Sequence, residues 1–287
     1  MIYLFLSIIS STFIFLTFKI TDRFKTDLVK LITVNYLVAA LLGFSFNHYP
    51  ISLYSVFTAE WMPFALLIGL SFILMFFLIG YSTRRSGIAV TSIAGKMSMV
   101  IPILFSVLYF SEKSSLLKTI GLVLAVISVF LSSYRPLSKK SNLLLIVLPI
   151  AIFIGTGITD SVVKYAQTYF VSNSMTMLFS AVVFLTALII GLFYLFINPK
   201  SLSKAISIAE LIGGTILGIA NFGSLYFFIH ALNNSKFDSS VVFGLNSLGI
   251  VLLSILTGSV LFQEKLSKVN FTGIFFAVTS ILILMIY

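Results

Sequence analysis

The sequence predicts an all-α polytopic membrane protein, with ten transmembrane helices arranged as two inverted five-helix repeats. Three observations predict it. Hydrophobic residues make up 59% of the 287 residues, charged residues only 9%, and mean hydropathy is +1.15. An ordinary soluble domain carries about 25% charged residues. The apolar residues fall into ten runs, each near the roughly 20 residues that cross a bilayer core as a helix. A short polar-and-glycine pattern recurs at matching places in the two halves of the chain. This composition excludes a soluble enzyme, a disordered chain and a nucleic-acid-binding domain. The net charge of +10 is concentrated in the gaps between apolar runs, as in membrane loops. With no cysteine, the chain can form no disulfide, thiolate nucleophile or Cys-based metal site. No metal and no cofactor are expected.

The runs are 2–20, 29–46, 63–82, 88–110, 116–133, 143–163, 174–197, 209–231, 239–262 and 268–287. Their length fits helices; barrel strands are about ten residues long and alternate in polarity. The first run has no charge before Lys19 and no small-residue cleavage site, so it is expected to remain as a mature helix and not as a signal peptide. The gaps leave no room for a further domain. The loops and flanks after odd-numbered spans hold thirteen Lys or Arg residues, among them Lys19, Arg84, Arg85 and Lys265, against four on the other side. The basic side should face the cytoplasm, which puts both termini outside. Tyr49, Tyr54 and Trp61 then belong at the outer rim. The expected location is the cytoplasmic (inner) membrane of a bacterium, since the richness in Phe, Ile, Lys and Asn fits an AT-rich bacterial genome.

Residues 108–121, LYFSEKSSLLKTIG, resemble residues 260–273, VLFQEKLSKVNFTG. A shift of 152 superposes Phe110 on Phe262, Glu112 on Glu264, Lys113 on Lys265 and Gly121 on Gly273. Ala125, Val126 and Ser128 likewise meet Ala277, Val278 and Ser280. The repeats are therefore 1–137 and 138–287. Five spans is an odd number, so the second copy must be inverted in the membrane. Inverted repeats are a common architecture of secondary transporters.

These residues carry a family resemblance. Pro102, Ser111-Glu112-Lys113 and Gly121, with Gln263-Glu264-Lys265 and Gly273, resemble the Pro…(Gly/Ser)-Glu…Gly signature that closes each repeat in the drug/metabolite transporter superfamily, in its EamA-like branch of ten-span carriers. Ser254 stands where Pro102 would repeat. The resemblance covers both halves of the chain. It implies a basket of helices around a central cavity, walled mainly by spans 3, 4, 8 and 9. It also implies transport of a metabolite, with cargo in the superfamily ranging from amino acids to sugar phosphates.

Lys96 is the sharpest single signal. It lies inside span 4, about 12 Å from its start. A lysine at the bilayer centre costs about 2.5–3.5 kcal/mol even on lenient scales. It reads as a cation that binds an anionic group of the cargo, or that titrates during coupling; the plain alternative is a lysine snorkelling to the rim. Asp160 in span 6 precedes Lys164 by one helical turn, an arrangement suited to a local ion pair; the alternative is a carboxylate that pairs with Lys96 or takes a proton. Asn221 and Asn246, in spans 8 and 9, are suited to cargo contact or to interhelical hydrogen bonds. Tyr81 and Tyr226 offer phenol and aromatic contacts. His230 reads as an interface histidine. Pro102 should kink span 4 just beyond Lys96 and so serve as a gate element. Gly214 and Gly218 give span 8 a face for close helix contact. Glu112 and Glu264 each precede a helix start, where a carboxylate favours the helix dipole, and read as structural.

The expected function is secondary transport of a small metabolite, such as an amino acid or other small organic solute, by alternating access, in a monomer or weak homo-oligomer. A sugar-phosphate or other organic-anion carrier using Lys96 is the alternative within the class. An intramembrane enzyme would need paired aspartates, His-x-x-x-His or HExxH, and the sequence has none of these; no catalytic residue is assigned. A channel usually builds rings from several chains. The inverted arrangement makes a direct prediction. Single cysteines introduced at 112 and 264 should react with an impermeant thiol reagent from opposite faces of the membrane, and labelling of both from one face would refute the inversion.

Overall fold

The computed structural model describes residues 1–49, 52–109, 115–134, 144–198, 205–235, 237 and 239–286. Glu112 and Lys113 lie outside the described residues. Within them the chain forms helices α1 (Ile2–Arg23), α2 (Leu28–Ser45), α3 (Leu53–Phe57), α4 (Met62–Ser86), α5 (Ile88–Met97), α6 (Val100–Tyr109) and α7 (Leu116–Ser133). They continue with α8 (Leu144–Tyr169), α9 (Thr176–Ile197), α10 (Ile208–Asn234), α11 (Ser239–Phe262) and α12 (Lys268–Ile286). Nine helical segments among the described residues are long and apolar enough to cross a membrane. The fifth expected span, α7, has a shorter apolar stretch, Thr119–Ser132. The protein is a multi-pass, all-helical membrane protein. Its apolar runs form helices because a backbone in lipid must satisfy its own N–H and C=O groups within the segment.

The chain divides into two compact units. Unit 1 holds 1–19, 78–158 and 223–287; unit 2 holds 20–77 and 159–222. Each unit draws on both halves of the sequence. The boundaries fall inside four helices, α1, α4, α8 and α10.

In unit 2, α2 packs along α9. Gly43 lies against Ala181, where an added Cβ would come 3.0 Å from the alanine Cβ, and Gly191 lies against Thr33, with its hydroxyl 2.7 Å from the same construction. Low numbers on one helix meet high numbers on the other, so the pair is antiparallel. Gly69 of α4 is closed by Thr186 and the Val183 carbonyl of α9; Gly218 of α10 is closed by Val38 and the Asn35 carbonyl of α2. Gly214 meets Val34 and the Leu31 carbonyl, so the glycine face expected on span 8 is a close-contact face. The N-termini of α2 and α10 are tied together. Asp27 caps α2 by accepting from the Val29 and Lys30 N–H groups. Ser207 and Glu210 form a reciprocal capping box on α10, and Glu210 Oε1 also accepts from the Asp27 N–H at 2.8 Å. Trp61 is 4% exposed and meets Phe179 edge-on in a buried cluster of this unit, while Tyr54 is exposed.

In unit 1, α7 packs along α12. Gly121 is closed by Leu284 and Gly273 by Leu131 and Ser132, again an antiparallel pair. The Ser280 hydroxyl donates to the Gly121 carbonyl at 2.7 Å. Asn270 donates to the carbonyls of Leu131, Ser132 and Tyr134 and so caps the C-terminus of α7. Against this pair stand α5 and α11, with Ile93, Ala94, Met97, Val100, Val251 and Ile281 in one buried cluster.

Replacing Gly69 or Gly218 by alanine forces a methyl group into backbone and side-chain atoms. Each variant should lose about 1–3 kcal/mol, the usual cost of overpacking. Reversible unfolding in mixed micelles checks this, and similar losses for the two variants are expected.

Candidate functional site

The expected fourth span is not one helix. It is two ten-residue helices, α5 and α6, interrupted at Ser98 and Met99. Proline explains the break. An N–H at position 102 would donate to the Ser98 carbonyl in a continuous helix. Pro102 has none, and its ring clashes with that carbonyl. The freed groups find local partners. The Ile101 N–H donates to the Ser98 carbonyl at 3.0 Å, in a tighter turn, and the Ile103 N–H donates to the Met99 carbonyl at 3.2 Å. The Gly95 carbonyl, which Met99 would serve in an unbroken helix, accepts from the Ser98 hydroxyl at 2.6 Å. The Met99 N–H turns to the Lys96 carbonyl at 3.5 Å.

Lys96 occupies the last turn of α5, immediately before the break, and is half-buried. A cation there suits the negative end of a short helix. Two other elements of unit 1 border the break. Gly157 of α8 lies against Ile101 and the Ser98 carbonyl, so closely that a Cβ would stand 2.8 Å from that oxygen. Its neighbour Thr156 has a buried hydroxyl with no partner among the described residues. Helix α11 packs against α5, with Ile88 beside Gly258. Asn246 is 7% exposed, and its Oδ1 has no partner among the described residues. Each buried polar oxygen left so carries a desolvation penalty of about 1–3 kcal/mol. Lys96, Pro102 and Asn246 thus belong to one unit.

Asn221 belongs to unit 2, where its side-chain amide lies within hydrogen-bond distance of that of Asn35, at 3.3 Å; Asn35 is fully buried and Asn221 is 8% exposed. The interhelical reading of Asn221 therefore has a named partner. Tyr81 presents its ring to the Arg85 guanidinium at 5.8 Å, one turn further along α4. Tyr226 packs against His230 with ring centroids 4.4 Å apart, and Tyr3 stacks on the same imidazole at 5.3 Å. Asp160 is an exposed residue of α8 in unit 2. Helix α8 runs on to Tyr169, six residues beyond the expected end of this span. Asp160 is thus about 14 Å from the helix end, deeper than expected, at 1.5 Å per residue. An open groove between α6 and α7, about 340 Å³ and bordered by Val100, Leu104, Leu122 and Val126, has an apolar lining unsuited to a charged solute.

Sequence reasoning missed Glu264. Its carboxylate does not serve the helix that follows it. It accepts from the Ile88 N–H at 2.8 and 3.0 Å and from the Ala89 N–H at 3.3 Å, capping α5 from another part of the chain, and lies 3.6 Å from Lys19 Nζ. The structural role is as expected; the helix is a different one. Gly87, just before α5, was the available signal, since a helix that begins on glycine has no side-chain cap of its own.

No family model matches the chain. It is 27% identical over 295 residues to an uncharacterized protein of Haemophilus influenzae (strain ATCC 51907 / DSM 11121 / KW20 / Rd), covering 96% of this chain and 94% of that one. A solved crystal structure superposes with a TM-score of 0.61 over 98% of this chain and 94% of the other, at 15% identity, and so shares the fold.

Asn221→Ala tests the assignment of that residue. Membrane interhelical hydrogen bonds average about 0.6 kcal/mol, so a small loss of stability is expected. Reversible unfolding in mixed micelles checks this, and a loss above about 2 kcal/mol would exceed what such a bond supplies.

Proposed function

We propose that the protein is a secondary transporter of the drug/metabolite transporter type, moving a small organic solute across the cytoplasmic membrane by alternating access. The observation that carries this reading is the interrupted fourth span with a lysine at its break. Discontinuous membrane helices place helix ends at membrane depth, where transporters bind their cargo. Lys96 supplies the charge that favours a cargo with a carboxylate or phosphate group. Amino acids, sugar phosphates and other organic anions all meet that requirement. Asn246 adds an acceptor that suits a cargo amine or hydroxyl. Pro102 sustains the break and is the proposed gate element.

The packing lends support to two inverted repeats, 1–137 and 138–287. A shift of 148 exchanges Gly43 with Gly191 and Thr33 with Ala181, which carries the Gly43–Ala181 contact onto the Gly191–Thr33 contact. A shift near 149 carries Gly69, with Thr186 and Val183, onto Gly218, with Val38 and Asn35. A shift of 152 carries Gly121 and Leu284 onto Gly273 and Ser132. Such exchange of contacting partners is what a two-fold axis between opposed copies produces. Two copies able to trade conformations would expose the site to each face in turn.

Lys96→Ala should lower transport into proteoliposomes about tenfold or more at unchanged membrane abundance, since hydrogen bonds to a charged group are worth about 1.5–3 kcal/mol. Lys96→Arg should retain part of the activity. A screen of toxic metabolite analogues against cells expressing the protein supplies the cargo for this assay. Undiminished transport by Lys96→Ala would remove the lysine from the mechanism.

A further inference from the structure

The corner between α4 and α5 turns on a single residue, Gly87, with φ of +101°. Two opposite helix ends meet there, the negative C-terminus of α4 and the positive N-terminus of α5. Each is served by a side chain from a distant part of unit 1. Lys19 of α1 donates to the Thr83 and Arg84 carbonyls at 3.3 and 3.4 Å, in the last turn of α4. Arg84 returns a hydrogen bond from Nε to the Phe18 carbonyl at 3.3 Å. Glu264, beyond the end of α11, serves α5 through the Ile88 and Ala89 N–H groups. Lys19 and Glu264 form an ion pair at 3.6 Å, with side chains 21% and 12% exposed.

The carboxylate is held in a fitted position. A Cβ at Gly87 would come within 2.8 Å of it, and one at Gly258 within 2.7 Å. Gln263 takes φ of +52° to turn the chain back, and the Glu264 N–H donates to the Gly258 carbonyl at 3.1 Å. Left-handed backbone at a residue other than glycine is strained, so surrounding contacts must hold it there.

A cap supplied by a helix's own preceding residue works in every arrangement of that helix. A cap supplied by another element works only while the two are docked. Helix α5 has only the second kind, because glycine precedes it. Separation of α5 from α11 and α1 at this end therefore costs two or more backbone hydrogen bonds and an ion pair, all at once. We propose that Glu264 is a latch that holds the N-terminal end of α5, on the membrane face expected to be basic, and that its release opens the path from that face to the region of Lys96. The proposal rests on the carrier reading above and names a residue that positions the half-helix without touching cargo.

The absence of native cysteine makes the test clean. Ser92, one turn into α5, is fully buried, as is Ser128 in α7. Single cysteines at 92 and at 128 are placed in the full-length protein in oriented membrane vesicles and treated with an impermeant thiol reagent from each face in turn. With Glu264 intact, both should react slowly. With Glu264→Gln or Glu264→Ala, position 92 should react about tenfold faster from the basic face only, as expected on losing hydrogen bonds to a charged group, while position 128 stays protected. Glu264→Asp should fall between. Lys19→Met, which leaves the α5 cap but removes the ion pair and the two bonds to the end of α4, should give a smaller increase. Unchanged protection of position 92 in both Glu264 variants would overturn the latch and leave the Lys96 experiment unaffected. Equal exposure of positions 92 and 128, or acceleration from both faces, would overturn it too, because the network would then staple the whole fold. Undiminished transport by Lys96→Ala with a working latch would remove the lysine from the mechanism and leave the latch standing, whereas absence of any solute transport would overturn the carrier reading.

Discussion

Hydrogen bonding of the backbone in lipid is the constraint from which this structure follows. Water is absent there, so each N–H and C=O must find a partner within the protein. The fourth span tests that rule twice, at the break by Pro102 and at the glycine corner before α5. In both places the chain supplies a specific partner. The Ser98 hydroxyl takes the Gly95 carbonyl, and Glu264 takes the first N–H groups of α5. The two devices leave a ten-residue helix with Glu264 at its positive end and Lys96 at its negative end. Charge complements the dipole at both ends.

Close packing completes the bundle. In a membrane the apolar effect does little to drive helices together, so shape and polar contacts must. Gly69, Gly191, Gly218 and Gly273 each sit where a methyl group would collide with the neighbouring helix, and Gly43 and Gly121 where one would be tight. Polar side chains join helix ends in the same way: Asn270 closes the C-terminus of α7, and Glu210 links the starts of α10 and α2. These contacts define each unit, and they are drawn from both halves of the sequence.

Several residues show where local pattern stops being informative. Lys96 and Pro102 were legible because a buried charge and a proline in an apolar run break rules that hold for any membrane helix. Trp61 gave no hint of Phe179, because an aromatic near a span end has the same local signature whether it meets lipid headgroups or another ring. Asn221 gave no hint of Asn35, its partner 186 residues earlier. Glu264 sits just before a helix and reads as its N-terminal charge, yet the backbone strain at Gln263 turns it toward α5.

Composition and run length by themselves determined that the chain is helical, spans a membrane many times and repeats a motif in its halves, since these depend on the transfer of side chains from water and on helix rise. They also singled out the deep lysine and the proline beside it. Only the tertiary structure decided which distant side chain satisfies each exposed helix end. Such pairings depend on where antiparallel helices come level, and that is set by glycine contacts spread over the whole chain.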